Sequence, residues 1–244
     1  MPPFSWIMIA GITLMAGFIQ SVTGFGFGIF AMIFLPSVLS YGEANVLSTI
    51  LSSLSSLVIA LPLLRRIHWK NLLFPLLGCL PVTFAAVAFV KTQTNEVLTL
   101  LLGAALFLLS VYFYFFSHRV RIRPTWYAGL TAGLLSGVMS GLFAVGGPPV
   151  VVYFLQSEKD PEQYLATISA YFVLLGVISV GVKASAGFVT GTVLTAILIG
   201  IATMLLSAII GKHVRCRIRA ELLKKVIYGV MAVSGGVNII TALL

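Results

Sequence analysis

Apolar residues run along this chain in long blocks separated by short polar loops. A hydrocarbon layer about 30 Å thick is crossed by roughly 20 helical residues. Residues 44–64, 72–90, 97–116, 164–182, 188–210 and 226–244 each fit one crossing. Two further stretches, 4–39 and 125–155, are too long for a single helix and carry glycine or proline clusters in the middle. The first cluster is Gly24-Phe25-Gly26-Phe27-Gly28; the second runs from Gly141 through Ala144, Gly146 and Gly147 to Pro148 and Pro149. Glycine favours non-helical backbone and proline cannot donate the helical hydrogen bond. Each long stretch is therefore expected to be two short helices.

Composition fixes the solvent. Of 244 residues 59% are apolar and 9% charged, with a mean hydropathy of +1.10, whereas soluble domains carry roughly a quarter charged residues. A soluble fold is excluded, and the chain reads as an all-α, multi-pass integral membrane protein. No basic residue precedes the first apolar run. The charged start of a cleavable signal peptide is missing, and the first segment is expected to remain in the mature protein.

Positive charge sets the topology. Twelve of the fifteen Lys and Arg fall in three loops: Arg65, Arg66, Lys70; Arg119, Arg121, Arg123; and Lys212, Arg215, Arg217, Arg219, Lys224, Lys225. This distribution is a positive-inside signal rather than a nucleic-acid face, and all three loops are expected on the cytoplasmic side. They share a side only if each broken stretch enters the membrane and returns. The predicted architecture is a re-entrant helical hairpin followed by three spans, repeated once. Counting each hairpin once gives about eight hydrophobic segments. Three spans being odd, residues 1–124 and 125–244 form two inverted repeats of one membrane domain, with both termini outside. Ala16-Gly17-Phe18-Ile19 echoes Ala132-Gly133-Leu134-Leu135, and a glycine cluster follows in both halves. Inverted repeats with discontinuous helices are a transporter architecture.

The second helix of a re-entrant hairpin starts at membrane depth, with unpaired N–H groups and a positive dipole end aimed inward. Such a start can hold an anion. The candidate substrate-binding residues cluster there: Gln20, Ser21, Thr23, Gly24, Gly26 and Gly28 in the first half, and Ser136, Ser140, Gly146, Gly147 and Pro148 in the second. Hydroxyls and the glutamine amide can donate to oxyanion oxygens. Gly17, Gly133, Gly137 and Gly141, spaced by four, fit close helix packing instead. The serine-rich run Ser48-Thr49, Ser52-Ser53, Ser55-Ser56 fits either a pathway lining or hydroxyls satisfied by their own helix.

Other chemistry is sparse. Every Asp and Glu lies in or beside a loop, so no carboxylate proton relay is evident. Lys91 and Lys183 stand at span ends and are expected to snorkel to the interface. His68, His118 and His213 fall in the basic loops and are expected to be solvated. Cys79 and Cys216 match no metal or redox spacing. No cofactor, metal site or catalytic nucleophile is indicated, and the expected ligands are a small anion and the bilayer.

At its glycine-rich breaks the sequence resembles the sulfite exporter TauE/SafE family, also called the toluene-sulfonate uptake permease family. The resemblance is carried by residues 17–28 with Pro36, by Gly133, Gly137 and Gly141, by Gly146-Gly147-Pro148-Pro149, and by the Ile67-His68-Trp69-Lys70 turn. Phe27 and Ala144 stand where family members often have further glycines. The resemblance implies transport of sulfur-containing anions such as sulfite, sulfonates or sulfoacetate. Export is the expected direction, because an inside-negative potential drives one negative charge outward by about 2.3 kcal/mol per 100 mV. Uptake of an organosulfur compound or other small acid, a passive anion channel, and a membrane-embedded enzyme or accessory subunit remain the alternatives.

Overall fold

A computed structural model describes residues 2–115, 123–214, 229 and 231–238. The described residues hold helices and no strands: α1 (Pro3–Thr23), α2 (Phe27–Phe34), α3 (Tyr41–Ala60), α4 (Trp69–Thr92), α5 (Asn95–Phe115), α6 (Trp126–Phe143), α7 (Gly147–Ser157), α8 (Pro161–Ser185) and α9 (Gly191–Val214). Residues 231–238 are helical as well. Among the described residues, seven helices are long and apolar enough to cross a membrane. Large apolar side chains such as Phe4, Ile7, Leu108, Leu198 and Val177 stay exposed on the outside of the bundle, as lipid-facing positions must.

Both long stretches are broken where the glycines stand, but not into two short halves. α1 has 21 residues and α6 has 18, each enough for a full crossing, and only the returning helices are short: 8 residues in α2 and 11 in α7. The helix starts are set by local chemistry. The Ser40 amide and hydroxyl both donate to the Glu43 carboxylate, at 3.1 and 2.7 Å, at the head of α3. Thr125 caps α6 by accepting from the Ala128 amide, and Asp160 caps α8 by accepting from the Glu162 amide; such caps satisfy amides that have no intrahelical acceptor.

Side-chain pairings give the helix directions. Along α1 and α9, Thr13 meets Thr203, Gly17 lies against Ser207 and Ser21 against Gly211, so these helices are parallel. Glu43 meets Thr190 and Leu51 lies against Gly200, so α3 runs the same way. α8 opposes α3, with Thr49 on Lys183, Ser53 on Gly176 and His68 on Thr167. α4 runs with α8 and α6: Cys79 meets Tyr171, while Pro75 lies on Gly133 and Cys79 on Gly137. α1, α3 and α9 therefore run one way and α4, α6 and α8 the other. Since α1 and α3 point in one direction, α2 between them leads back, and α7 does the same between α6 and α8.

The end of α3, the start of α6 and the end of α9 consequently share one end of the bundle. Arg65 and Arg66 are there; Arg119, Arg121, Arg215, Arg217, Arg219, Lys224 and Lys225, with His118 and Cys216, lie outside the described residues, as does most of the 226–244 span. His68, expected to be solvated, is exposed and also pairs at this end with Glu158. Its Nδ1 lies 3.0 Å from a carboxylate whose side chain is 1% exposed, and Asn71 donates to the other oxygen at 2.8 Å. Arg66 reaches Asp160 at 3.3 Å and Glu162 at 3.5 Å. The turn after α3 is thus pinned to the loop between α7 and α8, which no spacing in the sequence signals.

Candidate functional site

The first break is built by glycine conformation. Gly24 (φ 82°) ends α1 and returns its amide to the Gln20 carbonyl at 2.8 Å. Gly26 (φ 102°) opens α2. Any side chain at these φ values is strained. The first bond inside α2 runs from the Phe30 amide to Gly26 O at 3.1 Å, which leaves the Phe27, Gly28 and Ile29 amides ahead of the helical ladder.

The second break has different chemistry. Ala144 takes the left-handed conformation (φ 55°) although it carries a Cβ, and its amide and that of Val145 close the end of α6 on Ser140 O and Met139 O. α7 then opens at Gly146 with Gly147, Pro148 and Pro149. The two prolines have no N–H. This helix start therefore keeps its dipole but few donors, and most free amides at the breaks belong to α2.

The breaks meet. Gly28 is pressed against the Ala144 carbonyl oxygen, where a Cβ would have no room, while a Cβ on Gly147 would rest at ordinary contact, 3.5 Å from the Phe172 ring and 3.6 Å from that of Phe25. Between them is a cavity of about 40 Å³. That is room for a few waters or one small oxyanion. Of the residues singled out in the sequence, Gln20, Gly26, Gly28, Ser140, Gly146 and Gly147 line it.

The others stand nearby and face elsewhere. Ser21 donates to Phe18 O at 2.8 Å on the α9 side, and Thr23 donates to Ile19 O and Phe25 O, bracing the turn. Gly24 is the cap of α1. Ser136 donates to Gly146 O at 2.5 Å and accepts from the Tyr171 hydroxyl at 2.9 Å, so it holds the second break from behind. Pro148 borders a separate apolar cleft beside Tyr112 and Met139.

The opposite wall comes from α3 and α8. Thr49, Ser52 and Ser53 line the cavity, as do Phe172 and Gly176. Thr49 and Ser53 also donate to the carbonyls four residues back, at 2.8 and 2.7 Å. The serine run thus both lines the cavity and satisfies itself. Gln20 is fixed across it, its amide nitrogen donating to Ser56 Oγ at 2.7 Å and to Ser52 O at 3.1 Å. No carboxylate is among the described lining residues.

Lys183 corrects an expectation. It does not snorkel to an interface: it is fully buried, with Nζ donating to Thr49 Oγ1 at 2.6 Å and to Ser140 O at 3.1 Å. Both partners are cavity-lining residues.

The model of the sulfite exporter TauE/SafE family matches residues 9–237. The chain belongs to the TauE/SafE family. A relative described as a probable sulfite/organosulfonate exporter TauE, from Cupriavidus necator, is 22% identical over 227 residues, covering 88% of this chain and 86% of the relative. No solved structure matches. Family membership and the membrane-length helices make this TauE/SafE protein a multi-pass membrane transporter, and the matched region takes in both breaks.

Proposed function

We propose that this TauE/SafE protein exports a small sulfur oxyanion of the sulfite type, bound between the two breaks with the free amides of α2 as its principal donors. The observation that carries this reading is the cavity of about 40 Å³ at the start of α2: positively polarised, free of carboxylates and sized for a bare oxyanion rather than for one with a large organic substituent. The opposed directions of α1 and α6 support the division into inverted halves, 1–124 and 125–244. The basic ends of α3, α6 and α9 lie together, which by the positive-inside bias is the cytoplasmic face. An inside-negative potential then drives the anion toward the Tyr41 end of α3 without a coupling ion.

Proteoliposomes loaded with labelled sulfite test this. Efflux is expected to saturate, to be stimulated by sulfite outside, and to quicken when the interior is made negative. Flux indifferent to the sign of the potential counts against electrogenic export, and absence of trans-stimulation favours a channel. Gly147→Ala sharpens the test, because its methyl group enters the cavity at ordinary contact distances. Sulfite flux should fall about ten-fold or more, the range in which one misplaced methyl group acts in a fitted pocket. The melting temperature should stay at the wild-type value.

A further inference from the structure

Lys183 poses a problem in electrostatics. Its side chain is 0% exposed, and among the described residues no carboxylate pairs with it. A desolvated cation with no counter-charge is costly, and two neutral acceptors offset only part of that cost. Thr49 Oγ1 has its own hydrogen committed to Asn45 O at 2.8 Å, so toward Lys183 it serves as acceptor. Ser140 O belongs to the last turn of α6, the negative end of that helix dipole. One reading is a plain cap on α6. Both acceptors, however, border the cavity between the breaks, so the ammonium stands directly behind its wall.

The surroundings carry a second mark. Among the described residues four buried side-chain atoms have no hydrogen-bond partner: Ser48 Oγ, Asn45 Oδ1, Ser179 Oγ and Ser169 Oγ. Ser48 adjoins Thr49 and lies near Gly28; Ser179 is one turn before Lys183 on α8, on the same face. Unpartnered polar atoms in an otherwise satisfied interior mark where water or an ion belongs. All but Ser169, which is fourteen residues before Lys183 on α8, lie on the stretch of α3 and α8 that holds the ammonium.

We propose that Lys183 is the specificity-determining residue of the transport cavity, supplying the ammonium group for which a small oxyanion bound beside Thr49 and Ser140 is the counter-ion. The proposal rests on the reading of this cavity as the transport site and names the residue that makes it select anions. The dipole of α2 attracts negative charge but is shared among several amides; a protonated Lys183 adds a unit charge on the opposite wall, and a bound anion offsets the cost of keeping it protonated there. An anion arriving there finds a cation already desolvated, and each neutralises the other.

The test is sulfite flux in proteoliposomes and sulfite-dependent thermal stabilisation of the purified protein. Wild type is compared with Lys183→Arg, Lys183→Gln, Lys183→Met and Ser179→Asp. The glutamine variant keeps a donor for the α6 end but loses the charge, and the aspartate variant keeps Lys183 while giving it an internal partner. Lys183→Gln and Ser179→Asp should each raise the sulfite KM about ten-fold or more, as expected when one unit charge is withdrawn from beside a bound anion at an effective dielectric of about 20. Melting without sulfite should stay near wild type for Lys183→Gln, and Lys183→Arg should retain most of the affinity. A merely structural cap predicts the reverse: altered melting and an unchanged KM in every variant that folds. Wild-type KM in Lys183→Gln overturns the proposal and leaves the transport reading intact. Should the Lys183 variants fail to fold, an unchanged KM in Ser179→Asp overturns it. Wild-type protein that neither binds nor moves sulfite overturns the transport reading and this inference with it.

Discussion

Gly28→Ala is expected to abolish sulfite flux and to cost about 3 kcal/mol of stability or more, at the upper end of what overpacking does. The added methyl group would fall on the Ala144 carbonyl oxygen, and neither side can yield. Ala144 is held in its left-handed conformation by amide bonds to Ser140 O and, through Val145, to Met139 O, at 3.0 and 3.2 Å. Gly28 belongs to the first turn of α2, pinned by Phe30 to Gly26 and fully surrounded. Relief requires α2 to move off the end of α6, which opens the cavity the two helices enclose. The informative comparison is with Gly147→Ala, whose methyl group fits. Loss of flux in both variants, with loss of melting temperature only in Gly28→Ala, separates a contact that builds the site from a space that holds the substrate. Gly28→Ala protein that melts and transports like wild type would show that the breaks do not depend on this contact.

Much of this architecture is legible in one dimension because the bilayer enforces it. Apolar runs of span length could only be helices, and glycine and proline clusters inside over-long runs had to break them. What one dimension conceals is depth and facing. The breaks divide their stretches unequally, into helices of 21 and 8 residues and of 18 and 11, because a cluster says where a helix stops and not how much helix precedes it. Lys183 near the end of an apolar run invites the picture of a side chain reaching for water. Its depth is instead set by tertiary packing: Gly176 lets α8 close on Ser53 of α3, and the turn at Gly187 (φ 87°) carries the chain away beyond it. Ser21, Thr23 and Ser136 lie beside the breaks in sequence and face away in space, since a helical hydroxyl turns to whichever carbonyl or neighbour its face offers. Phe172 and Gly176 on the cavity wall carry no signal in the sequence beyond being apolar and small.

The glycines spaced by four take the packing role, and Gly133→Ala should lower the melting temperature more than any other single methyl addition along α6. On this helix Gly129, Gly133, Gly137 and Gly141 form one stripe facing α4, and Gly78 of α4 in turn lies against the α6 backbone at Leu130 and Leu134. Position 133 is the tightest, since a Cβ there would meet the Pro75 carbonyl oxygen and also lie 2.7 Å from the Pro75 carbonyl carbon and 2.8 Å from its Cα. All three are backbone atoms, which no rotamer change can move. Inside a bilayer the helices gain nothing by hiding apolar surface from lipid, so close backbone approach is itself the source of association. Forcing α4 and α6 apart at Pro75 forfeits contacts along the whole seam, and a loss of about 2–3 kcal/mol is expected. Gly181→Ala is the control: it lies within α8, and a Cβ there meets nothing within 4 Å. Alanine is also the better helix former, by up to about 1 kcal/mol, so this variant should melt at or slightly above the wild-type temperature. Equal melting of the two variants would mean that α4 and α6 are held together by something other than their glycine seam. The outcome bears on transport as well, because Ser136, Ser140 and the Ala144 turn all ride on α6, and the cavity keeps its shape only while that helix stays seated on α4.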